Sequence, residues 1–105
     1  MNFRKSLERL GLDEEEYLEL IELFVETSRS DINKLRSAIN GGDTKKASEI
    51  AHSLKGAAVN LGLEAFLELA GKIEETVRDG KLETTAKTAS VFQEKLNHIT
   101  DFINS

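Results

Sequence analysis

Apolar residues recur at three- and four-residue intervals along nearly the whole chain, the spacing that gathers them on one face of a helix. Tyr17, Leu18, Ile21, Phe24, Val25, Ser28, Ile32, Leu35 and Ile39 form the longest such stripe. It predicts one helix from Glu14 to about Asn40, opened by Asp13 as a cap with Glu16 three residues later and closed by Gly41-Gly42. A second stripe of Ala47, Ile50, Ala51, Leu54, Ala57, Ala58 and Leu61 follows a cap at Asp43 or Thr44, and Gly62 ends it in the left-handed conformation that terminates many helices. A third helix is predicted from about Glu64 to Asp79, with Gly80 as its stop. The last runs from about Glu83 to Ile103 on Ala86, Ala89, Phe92, Leu96, Ile99 and Ile103. Arg4 to Leu10 predicts a short lead-in helix ended by Gly11. No stretch alternates with the two-residue period of a strand.

Short connections between long helices make neighbours antiparallel. The expected fold is therefore all-α: an up-down-up-down antiparallel four-helix bundle with a short extra N-terminal helix packed on it. The 105 residues suit a single domain spanning 1–105, and neither a repeat nor a Pro-, Gly- or Ser-rich linker divides them. Proline is absent, so nothing interrupts the long helices.

The charge balance narrows the function. A net charge of −5 argues against a nucleic-acid surface, which needs clustered Lys and Arg. No apolar run is long enough to cross a bilayer, and Met1 to Ser6 lacks the apolar core of a signal peptide. The absence of cysteine rules out a disulfide scaffold, a thiolate metal site and a cysteine nucleophile, and is compatible with a reducing cytoplasm. The chain thus reads as cytoplasmic, touching neither nucleic acid nor membrane.

The second long helix carries the candidate chemistry. Its apolar residues occupy an arc of roughly 120°, and His52 projects roughly 150° from the centre of that arc, toward water. The residues three and four positions away are Ser48, Glu49, Lys55 and Gly56. Lys55 brings a cation beside the ring. Gly56 withholds a side chain from it, at a cost of about 1 kcal/mol to the helix relative to Ala. Close packing of a neighbouring helix would also explain Gly56, but that residue lies roughly 160° from the core. A bulky group or another molecule approaching His52 is the better account. Neutral imidazole offers a nucleophilic nitrogen near neutral pH, and a nearby Lys can stabilise a transferred phosphoryl group. Val59, two turns on and apolar on a polar face, extends the patch.

The run Ala51-His52-Ser53-Leu54-Lys55-Gly56-Ala57-Ala58-Val59-Asn60-Leu61-Gly62 closely resembles the signature of histidine-containing phosphotransfer (HPt) domains. That pattern is His, any residue, Leu, Lys, Gly, two small residues, any two residues, Leu, Gly, and the chain matches every specified place. The resemblance implies that His52 is the phosphoacceptor, at Nε2. Lys55 would stabilise the phosphoryl charge and Gly56 would give access to His52. It implies a phosphocarrier, not an enzyme, exchanging the group between a histidine kinase, often hybrid, and the aspartate of a response-regulator receiver domain. The module would hold no cofactor of its own, with Mg²⁺ on the partner receiver. Some members place a Gln or Glu of the following helix against the imidazole. Glu74 falls there by register, the other reading being a solvated carboxylate in Glu74-Glu75. Nothing resembles an attached kinase core, which points to a freestanding module or an excised domain.

Around His52, Lys45, Ser48 and Val59 are the candidate partner-docking residues, although Lys45-Lys46 also reads as a solvated basic pair. His98 lacks ligand-like neighbours and reads as a surface residue, so no metal site is expected. Two other readings remain: a helical bundle that docks signalling partners without phosphotransfer, and an enzyme using His52 as general acid-base. The second requires a concave pocket, which a convex bundle helix does not offer.

Overall fold

The structure is a computed structural model that describes residue 8 and residues 10–104, the side chain of residue 104 aside. Four long helices occupy the described residues: α1 (Glu14–Asn40), α2 (Thr44–Leu61), α3 (Glu64–Arg78) and α4 (Leu82–Asn104). The lead-in helix expected over Arg4 to Leu10 lies almost wholly outside the described residues.

Local chemistry sets where each helix begins and ends. The Asp13 carboxylate accepts from the Glu16 backbone N–H at 2.8 Å and opens α1, while Asp43, rather than Thr44, opens α2 by accepting from Lys46 N–H at 3.0 Å. At the end of α2, Gly62 has φ 68°, a left-handed conformation that any side chain would strain. It lets Gly62 N–H reach Val59 O at 3.1 Å and Leu63 N–H reach Ala58 O at 3.0 Å, satisfying carbonyls the helix would otherwise leave open. The same pair of backward bonds closes α1, where Asp43 N–H meets Ala38 O, and α3, where Lys81 N–H meets Thr76 O. Helix α3 ends at Arg78, one residue short of the expected Asp79, which forms the cap instead.

Each helix packs on its neighbours in sequence, and α4 closes the ring against α1. The core follows the expected stripes, with particular departures. Ala38 is buried and Ile39 only half-buried. A 27-residue helix rotates its apolar stripe slowly, because 3.6 residues per turn is not a whole number. In α2, Ala57 and Leu61 sit at the edge of the core rather than inside it. In α4, Thr85 is buried where Ala86 was expected. Its hydroxyl lies 2.7 Å from that of Thr76 and donates to Lys81 O at 3.0 Å, which removes most of the penalty for burying it. Phe66 of α3 stands edge-on to both Phe24 and Phe92, with centroids 5.2 and 4.9 Å away, and locks α1, α3 and α4 together. Tyr17 donates to Leu61 O at 3.2 Å, tying the start of α1 to the end of α2.

With Ala47, Ile50, Ala51, Leu54 and Ala58 buried, the orientation of α2 about its axis is fixed. The opposite face of that helix is necessarily turned to solvent.

Candidate functional site

Lys45, Ser48, His52, Gly56 and Val59 follow one another along α2 at three- and four-residue intervals, with Lys55 beside Gly56, a second stripe outside the core. His52 stands near its middle with a side chain 84% exposed. Val59 is 55% exposed. A Cβ built on Gly56 would meet no heavy atom of the described residues within 4 Å, so helix packing does not account for that glycine. The residue between His52 and Leu54 faces elsewhere: Ser53 donates to Asp31 of α1 at 3.4 Å.

Helix α3 completes the arrangement. Because α3 runs back along α2 from the tight connection at Gly62, its residue 74 comes level with His52. The Glu74 carboxylate lies between the imidazole and the lysine: Oε2 is 3.6 Å from His52 Nδ1, and Oε1 is 3.9 Å from Lys55 Nζ. The first separation exceeds direct hydrogen-bond length. Such contacts in a free protein often shorten when a reaction partner binds. Glu74 is only 27% exposed, so its carboxylate acts with less screening than a fully solvated one.

These positions define what the site can do. Nδ1 is the ring nitrogen turned to the carboxylate, which leaves Nε2 for an incoming group. An acceptor bond at Nε2 puts positive charge on the ring, and the carboxylate against Nδ1 offsets it. Lys55 faces the other oxygen of the same carboxylate, its side chain 43% exposed.

Lys45 and Ser48 share a shallow depression with Thr44, Glu74, Val77 and Arg78. Arg78 belongs to this surface although nothing in its local sequence marks it; only the packing of α3 on α2 brings it there. His98 is exposed on α4, the helix diagonal to α2. Among the described residues no group of three or more His, Cys, Asp or Glu could hold a metal ion, and no helix is long and apolar enough to cross a membrane.

A family model described as the Hpt domain matches residues 19–102, more than half of the chain and the whole of this surface. No curated protein and no solved structure gives a significant match.

Proposed function

The chain belongs to the Hpt domain family, and from that footing we propose that His52 takes up a phosphoryl group and exchanges it with the aspartate of a response-regulator receiver domain. Members of the family are phosphocarriers rather than enzymes and relay phosphate between kinases and receivers. For this chain the donor at the other end of the relay is a histidine kinase of the hybrid type, and the exchange takes place in the cytoplasm.

The observation that carries the reading is the 84% exposed His52 ring with a carboxylate set against Nδ1. In the uptake step the Nε2 lone pair attacks phosphorus of the receiver's aspartyl phosphate. The N–P bond forms as the P–O bond to the aspartate breaks, and the aspartate leaves as a carboxylate. Nδ1 keeps its proton, held toward Glu74, so the ring is cationic while phosphorylated and Glu74 balances it. Lys55 faces the phosphoryl oxygens, and Gly56 leaves room for the receiver to approach. Mg²⁺ is supplied by the receiver, and the bundle contributes a positioned nucleophile with little further catalysis. Lys45, Ser48 and Val59 lie on the face the receiver would cover.

Incubation with a phosphorylated receiver domain, or with an active hybrid kinase and ATP, tests the proposal. The wild-type protein should gain an acid-labile, alkali-stable phosphate that is absent from His52→Gln. A folded wild-type protein that takes no label from any such donor, yet binds a receiver, would instead be a docking module without phosphotransfer.

A further inference from the structure

Two glycines lie inside helices, Gly56 in α2 and Gly71 in α3. Neither has the positive φ found at Gly11, Gly42, Gly62 and Gly80, so neither is demanded by the backbone. A Cβ at Gly71, as at Gly56, would meet no heavy atom of the described residues within 4 Å. Glycine weakens a helix interior relative to alanine, and the packing of this protein gives nothing in return at Gly71.

The place of Gly71 supplies a reason. It lies one turn before Glu74 and shares its helix face, the face turned to His52 and Lys55. Since α2 and α3 are antiparallel about Gly62, moving from Glu74 back to Gly71 on α3 corresponds to moving from His52 toward Gly56 and Val59 on α2. The two clearances therefore lie side by side, both on the Gly62 side of His52. Together they lower the surface across both helices, and the exposed apolar side chain of Val59 stands beyond them.

We propose that Gly71 is a second clearance for the receiver domain, whose surface lies across α2 and α3 together while its aspartate meets His52. The proposal rests on the phosphotransfer reading above and names the extent of the docking face. An approach over α2 alone would leave Gly71 without a role. A receiver must bring a phosphorylated aspartate into line with Nε2, and a side chain standing beneath its edge would tilt it away.

The test compares Gly71→Ala, Gly71→Leu, Gly71→Gln and Lys72→Leu with wild type. The last places the same leucine one residue away, on a face turned from α2. Each protein is labelled in two ways, by phosphoramidate as a small phosphodonor and by a phosphorylated receiver domain that labels the wild type. Thermal unfolding should show all four folded, with Gly71→Ala raised by roughly 4–8 °C. Phosphoramidate should label every variant like wild type. Transfer from the receiver should fall about tenfold or more in Gly71→Leu and Gly71→Gln, and stay near wild type in Gly71→Ala and Lys72→Leu. Wild-type transfer in either bulky variant that folds would overturn the proposal. So would an equal loss with phosphoramidate, since that would put the effect on His52 and not on docking. A wild-type protein that no donor labels would refute the phosphotransfer reading itself, and this proposal with it.

Discussion

The Glu74 carboxylate approaches His52 Nδ1 to 3.6 Å from a different helix, so the orientation of the imidazole depends on how α3 packs against α2. The same carboxylate is 3.9 Å from Lys55 Nζ, and one side chain thus faces both groups of the proposed acceptor site. Removing it should disturb both without disturbing the fold. Glu74→Ala is expected to slow single-turnover transfer to and from a receiver by about tenfold, the lower end of what removal of such a supporting carboxylate costs. Glu74→Gln keeps an oxygen acceptor for Nδ1–H but lacks the charge, and should fall between the two. Rates equal to wild type in both variants would remove Glu74 from the mechanism.

Lys55 separates stability from chemistry. Its ion pair is 43% exposed on the lysine side, and pairs of that kind contribute at most about 1 kcal/mol. Lys55→Ala should therefore leave the urea midpoint almost unchanged. The phosphorylated form should lose its label faster, because the cation facing the phosphoryl group is gone. A phosphohistidine half-life identical to wild type would show that Lys55 plays no part in holding the group.

Gly56 makes the opposite comparison. With open space around its Cβ position, both Gly56→Ala and Gly56→Leu should stabilise the bundle, by about 1 kcal/mol for Ala. Gly56→Leu should nonetheless transfer phosphate poorly, since it fills the clearance beside the ring. A Gly56→Leu protein that is more stable and transfers at the wild-type rate would refute the assignment of Gly56 to partner access.

How much of this site could be read from the chain alone depends on how local each signal is. The exposure of His52 followed from helical arithmetic, because Ala47, Ile50, Ala51, Leu54 and Ala58 all lie within one arc and only one rotation of α2 buries them. Gly62 and Asp13 were legible for the same reason, and Asp43 as one of two candidates with Thr44: caps and stops act within a few residues. Glu74 was reached only through register from a family motif. Arg78 was not reached, since its nearness to Lys45 and Ser48 depends on the rotation of α3 relative to α2. Thr85 was passed over because its burial rests on a hydroxyl partner in another helix, Thr76, which no periodicity reveals.

The start of α1 carries a pair of carboxyl groups whose titrations move apart. The Glu16 backbone N–H donates to Asp13 and holds its carboxyl below the ordinary range, helped by a hydrogen bond from the Glu16 side chain. That same side-chain bond, followed by repulsion from the Asp13 charge, pushes Glu16 above its ordinary value. The signs oppose each other. The Asp13 contribution to stability is present above its unfolded-state value and lost as pH falls through its lowered folded-state value. The Glu16 contribution is present below its unfolded-state value and lost as pH rises through its raised folded-state value. Carboxyl-carbon NMR titration should resolve the two groups on either side of the ordinary carboxylate range. Asp13→Asn should move Glu16 back toward its ordinary value by removing the Asp13 charge, while keeping the cap, since Asn also accepts at that position. An unmoved Glu16 in that variant would refute the pairing.

Ser28 offers a way to stabilise the bundle without touching the site. It is 1% exposed, inside the apolar stripe of α1, and among the described residues its Oγ has no hydrogen-bond partner. Burying an unpaired hydroxyl costs about 1–3 kcal/mol, whereas exchanging it for hydrogen leaves a void smaller than a methyl group. Alanine is also the better helix former at that position. Ser28→Ala should thus raise the unfolding free energy by about 1 kcal/mol, read as a higher urea midpoint at an unchanged slope. Transfer kinetics should not move, because Ser28 points into the core of α1 while His52 faces solvent from α2. A destabilised Ser28→Ala would mean that the hydroxyl is satisfied in solution and that the core is arranged differently around it.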